Sequence, residues 1–184
     1  MRNSWIKPAV RLMFAVTSRE RATRQAARHL VGYRKLADGL SPEAGSRPVR
    51  VPPMPGVDED MRNWSFYMTL EHNRIVSDSI SATVFQLAMD EPLSGAALVD
   101  PKKGVMPSLS AGEEQIRQFL DSVERHLKLV ETLGRLRGTR TARHPLFGDF
   151  DAHKWNCMFS FHLKIHYRQA AHVAQAARAG LGRS

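Results

Sequence analysis

Two histidines stand four residues apart in Phe161-His162-Leu163-Lys164-Ile165-His166-Tyr167-Arg168-Gln169. On a helix, residues at i and i+4 project from one face, with Cβ atoms about 6 Å apart. Two imidazoles so placed can converge on one metal ion, as in the zinc-binding HExxH helix. The pair falls on the stripe formed by Trp155, Met158, Phe159 and Val173, the side of the helix that should face a core. Unpartnered imidazoles there would cost several kcal/mol, so a metal, or mutual or backbone hydrogen bonds, must satisfy them. A third ligand must come from another helix. His72 is the best candidate: it sits in Leu70-Glu71-His72-Asn73 beside the apolar positions Met68, Ile75 and Val76.

The other five histidines fit the pattern less well. His29 lies among arginines, His126 follows Glu124 and Arg125, and His144 precedes Pro145 in a loop. His153 falls in the first turn of the last helix, and His172 is out of phase with Gln169. All five read as ordinary structural or surface residues. Gln169, one turn after His166, can orient that ligand through a hydrogen bond. Asn73 and Glu71 flank His72 as polar support. Trp155, two turns before His162, reads first as a core residue and second as a substrate contact. Cys157, the one cysteine, reads as a small buried apolar group.

Four amphipathic stretches must position these groups. The first runs from Ser18, a helix cap, to Leu36, with Ala22, Ala26, Leu30 and Tyr33 at helical spacing; an apolar piece from Val10 to Val16 precedes it. Gly39, Pro42, Gly45 and Pro48, then Pro52-Pro53-Met54-Pro55-Gly56, break the chain. The second stretch spans Asp60 to Met89. A connection of about 18 residues follows, long enough to be functional or to cross the end of a bundle. The third begins at Ser110-Ala111-Gly112-Glu113, which has the form of a capping box, and ends at Gly134 or Gly138. The fourth runs from Asp151 to Ala179. No strand alternation stands out. The pattern predicts an all-α fold, a four-helix bundle in a single domain over residues 1–184.

Composition sets the outer limits. The chain has 184 residues, 42% apolar and 24% charged, close to globular averages, which excludes bulk disorder. One cysteine excludes a disulfide framework and a cysteine-rich zinc module. No apolar run is long enough for a membrane span. The formal charge is +9, and residues 1–50 hold most of it, with 11 Lys and Arg against 3 Asp and Glu. This basic N-terminal segment reads as a solvated helix face, a nucleic-acid or acidic-membrane footprint, or a targeting sequence. Arg11 interrupts the apolar stretch, which argues against a secretory signal; a cytoplasmic protein is expected.

With these motifs in order, the sequence resembles the DinB/YfiT-like superfamily of metal-dependent enzymes. The resemblance rests on the lone histidine of Leu70-Glu71-His72-Asn73, on His162-x-x-x-His166-x-x-Gln169, and on His144-Pro145-Leu146-Phe147-Gly148 followed by Trp155. It implies a four-helix bundle, often dimeric, in which His72, His162 and His166 hold a divalent metal such as nickel, zinc or iron. It also implies thiol S-transferase, isomerase or hydrolase chemistry on a small-molecule substrate, with a low-molecular-weight thiol as co-substrate. Many members carry a further histidine just before the last ligand; here that place is Ile165. The competing expectation is a non-catalytic helical module that binds nucleic acid or another acidic partner through residues 1–50. A homodimer is expected from the apolar excess at Phe85, Leu87 and Met89.

Overall fold

The computed structural model describes residues 6–180, and the chain is predominantly α-helical. Positions 1–5 and 181–184 of the expected domain and basic segment lie outside the described residues. Helix α1 spans Ile6–Val16, longer than the apolar piece foreseen there, and α2 spans Arg19–Ala37. Ser18 caps α2 by accepting from the Arg21 N–H, and Ala22, Ala26, Leu30 and Tyr33 form its buried stripe. The first glycine- and proline-rich break holds a short helix, α3 (Pro42–Ser46), with Ser41 as cap and Pro42 in its first turn. Proline suits that position because its missing N–H would have no helical acceptor there.

Helix α4 spans Phe66–Ala88, six residues later than the expected start at Asp60. Asp60 belongs instead to a single 3-10 turn, Glu59–Met61, and Ser65 caps α4 by accepting from the Met68 N–H. Helix α5 spans Glu114–Thr132. The expected capping box at Ser110 does not form. The Ser110 hydroxyl pairs with that of Ser108, and the Glu114 carboxylate takes the Gly112 N–H. Glu113 sits at the cap position with helical backbone angles and makes no side-chain cap bond. A small antiparallel hairpin, β1 (Ala142–His144) and β2 (Gly148–Phe150), precedes α6 (Ala152–Arg178). It was invisible to a search for alternation because each strand has three residues. Asp151 caps α6 through the Lys154 N–H, as its position suggested.

Helices α2, α4, α5 and α6 pack against one another. Their directions follow from residue pairs along each contact. Arg74 meets Gln115, Asp78 meets Arg125 and Ser81 meets His126, so α4 and α5 run parallel. Arg19 bonds the carbonyls of Leu133 and Gly134 while Arg34 meets Glu124, so α2 and α5 run antiparallel. Tyr33 reaches the Leu163 carbonyl and Arg178 reaches those of Leu36 and Asp38, so α2 and α6 run parallel. Two consecutive parallel helices need a connection that travels the length of a helix. That requirement explains the long segment between Ala88 and Glu114.

Candidate metal centre

The site is built from α4 and α6. The structure brings His72, His162 and His166 together, with one ring nitrogen from each within 4.8 Å of the others. Ring centroids are separated by 5.2 Å (His72–His162), 4.6 Å (His72–His166) and 4.5 Å (His162–His166). His72 and His166 are each 2% exposed. Burial depresses the basicity of all three rings. It holds His72 at about 4 and His166, further disfavoured by the His72 charge, at about 3. His162 is also held well below the ordinary value by burial and by its histidine neighbours. All three are therefore neutral at pH 7, the form in which an imidazole ligates a metal.

Hydrogen bonding fixes which nitrogen of two rings is free. The Nδ1–H of His72 donates to the Val105 carbonyl at 2.7 Å, because a carbonyl can only accept. Its Nε2 lone pair then faces the cluster, buried and without a hydrogen-bond partner. At His166, the Gln169 Nε2–H donates to the Met61 carbonyl at 2.7 Å. This fixes the amide orientation, so Gln169 Oε1 accepts from the His166 Nδ1–H at 2.8 Å. An unpaired nitrogen in a dry interior is costly. Two rings whose outer N–H groups are engaged, leaving their inner lone pairs free, are the arrangement metal-binding histidines adopt. The residues present therefore fit a divalent ion, and a set of three imidazoles suits zinc, nickel or iron.

Glu71, beside His72, accepts from the Ser108 N–H at 2.8 Å. His72 and Glu71 thus both hold the connection between α4 and α5 as it passes the site. Trp64, ahead of α4, packs on His72 with ring centroids 5.1 Å apart.

The remaining candidates fall elsewhere. Asn73 turns from the cluster and donates to the Tyr33 hydroxyl at 3.2 Å. Trp155 donates to the Ala142 carbonyl and packs against His144 and Phe150 of the hairpin. Ile165, the residue before His166, lies beneath Gly56. A Cβ on that glycine would come within 2.9 Å of the isoleucine side chain. Cys157 is buried, and burial pushes its thiol up to about 12 despite His153 at 3.7 Å. His126 stacks on Phe159 and bonds Ser81 and Asn156. His29 packs against Tyr167, and His153 meets the Thr17 carbonyl.

Sequence reasoning missed two contributors. The Val105 and Met61 carbonyls carry no residue-type signal, since any amino acid supplies one. His144, in the His-Pro-x-Phe-Gly stretch, is buried, is held at about 4 by that burial, and accepts at Nδ1 from the backbone N–H groups of Leu146 and Phe147. No protein-family profile matches the chain, and no curated protein or solved structure matches it either.

Proposed function

We propose that this chain is a cytoplasmic metal-dependent enzyme of the DinB/YfiT-like kind, a four-helix bundle whose three-histidine site holds one divalent cation. The observation that carries the reading is the buried, partnerless Nε2 of His72, facing His162 and His166 while its own Nδ1–H is engaged by Val105. Three neutral protein ligands leave coordination positions for a small molecule, as at catalytic zinc sites. A divalent metal there would supply Lewis acidity toward water or a thiol, which suits thiol S-transferase or hydrolase chemistry. The chain's own part is to hold His72 and His166 in fixed tautomers and to cover the site with Trp64 and Val105. We assign the substrate side to a small molecule with a low-molecular-weight thiol, following the superfamily resemblance.

Elemental analysis of protein purified without a histidine tag tests the site. Near-stoichiometric metal is expected in the wild type, with loss in His162→Ala. Absence of metal from both proteins, after loading with zinc, nickel and iron(II), would overturn the reading.

A further inference from the structure

The sequence confined the excess positive charge to residues 1–50. In three dimensions α2 of that segment shares its charge with α6. Helix α2 exposes Arg21, Arg24, Arg28 and Lys35 at steps of three, four and seven residues, which places them in one row along its outer side. Alongside, α6 exposes Lys164 and Arg168, one turn apart. The two helices run parallel and in contact. Tyr167 packs against Gly32 and His29, and the Lys164 charge lowers the basicity of His29. The row and the pair are therefore one surface.

Among the described residues, none of these six cations has a carboxylate within salt-bridge distance. Helix α6 contains no Asp or Glu from Ala152 to Arg178. Acids occur at the margins: Glu20 and Asp38 at the ends of α2, and Glu124 on the α5 side, where it pairs with Arg34. Helices α4 and α5 carry Glu71, Asp78, Asp121 and Glu124, each opposite an arginine. The arginines of those faces, Arg74, Arg117 and Arg125, each meet a carboxylate, whereas none of the six cations on this face does.

We infer that the joint α2–α6 face binds the phosphate backbone of duplex nucleic acid. A row from Arg21 to Lys35 is about 21 Å long at helical rise, which matches roughly six base-pair steps. A surface that recognises phosphates needs such spaced cations and no base-reading groups. An anionic membrane is the weaker partner. Membrane-surface helices bury a broad apolar face beside their cations, whereas this face exposes one large apolar group, Val31 between Arg28 and Lys35; the more exposed Leu12, Val16, Leu98, Leu109 and Leu146 belong to other elements. A single-strand platform would need exposed aromatic rings, and Tyr167 is packed between the two helices. This inference is independent of the metal site.

The test is fluorescence anisotropy of a labelled mixed-sequence DNA duplex with the full chain at several salt concentrations. Three proteins are compared: wild type, Arg24→Glu/Arg28→Glu with Lys164→Glu/Arg168→Glu, and a reversal of α5 cations, Arg117→Glu/Lys128→Glu with Arg125→Glu. Circular dichroism and metal content verify that each variant is folded. Wild type should bind with a steep salt dependence. The α2–α6 variant should lose at least tenfold in affinity and show a shallower salt slope, by about one per phosphate contact removed. The α5 variant should retain most of its affinity. The inference is overturned by no binding at low salt, by equal loss in the α5 variant, or by binding to phosphatidylglycerol vesicles without binding to DNA.

Discussion

Gln169 does for His166 what the Val105 carbonyl does for His72: each accepts an Nδ1–H and leaves Nε2 free. The side chain can be altered, so it separates a positioned ligand from a merely nearby one. Gln169→Leu should weaken metal affinity by roughly 10- to 100-fold, the usual effect of removing an outer hydrogen bond. Gln169→Glu keeps the acceptor but loses the N–H given to the Met61 carbonyl, and its affinity should fall between those of the wild type and Gln169→Leu. Competition with a chromophoric chelator reads both, and equal affinities for all three proteins would remove Gln169 from the site. His126 offers a test of histidine burial away from the metal. Burial holds its folded-state value at about 4, below the ordinary 6.5. Above that ordinary value both states are neutral and its contribution is complete. As pH falls toward 4, the unfolded chain takes up a proton that the folded chain refuses, and stability drops by on the order of 3 kcal/mol. Urea unfolding of metal-free protein between about pH 7 and pH 4.5 should show this decline, less steep in His126→Gln. Parallel declines would mean that His126 does not set it.

At the scale of elements, local chemistry competes with sequence form. Ser110-x-x-Glu113 has the spacing of a reciprocal cap, yet Ser108 takes both the hydroxyl and the N–H of Ser110, and Glu114 rather than Glu113 turns back, to the Gly112 N–H. Ser65 carried no such pattern and caps α4. Ser65→Ala should therefore cost about 1 kcal/mol, and Ser110→Ala should cost much less; thermal or urea unfolding measures both. A larger loss at Ser110 would mean that the box forms in solution. The same contrast marks what was legible. Helical periodicity located α2, α5 and α6 because their buried residues recur on one face, as Ala22, Ala26, Leu30 and Tyr33 do. The three-histidine cluster was legible because an i, i+4 pair on a core-facing stripe has few ways to be satisfied. The direction of α5 was not. A long connection signals a crossing without saying which way it goes, and pairs such as Asp78 with Arg125 exist only once the helices are aligned. The carbonyls of Val105 and Met61, which tie the connection and the preceding turn to the site, had no signal in residue type.

For the molecule as a whole, the apolar surface left uncovered at the end of α4 motivates a proposal about assembly. Leu87 is 8% exposed and belongs to the core, so it is removed from the apolar excess expected at the end of α4. Phe85 at 38% and Met89 at 53% remain outside, and Leu98, at 64%, lies in the connection that follows. Isolated exposed apolar residues are normal on a monomer, but a cluster rimmed by polar groups marks a contact surface. Two-fold symmetry is the commonest way for such a patch to be covered, because the same surface meets itself. The basic α2–α6 face is a poor alternative contact, since copies of it would repel. The expected assembly is therefore a homodimer through the α4 end and its connection. Sedimentation equilibrium should give about twice the 20.7 kDa chain mass. Phe85→Glu/Met89→Glu should return it to a monomer while leaving metal content unchanged, because His72 lies more than three turns away along α4. A wild-type mass near that of one chain across the concentration range would reject the dimer. A dimer that survives the double substitution would reject this face as its interface.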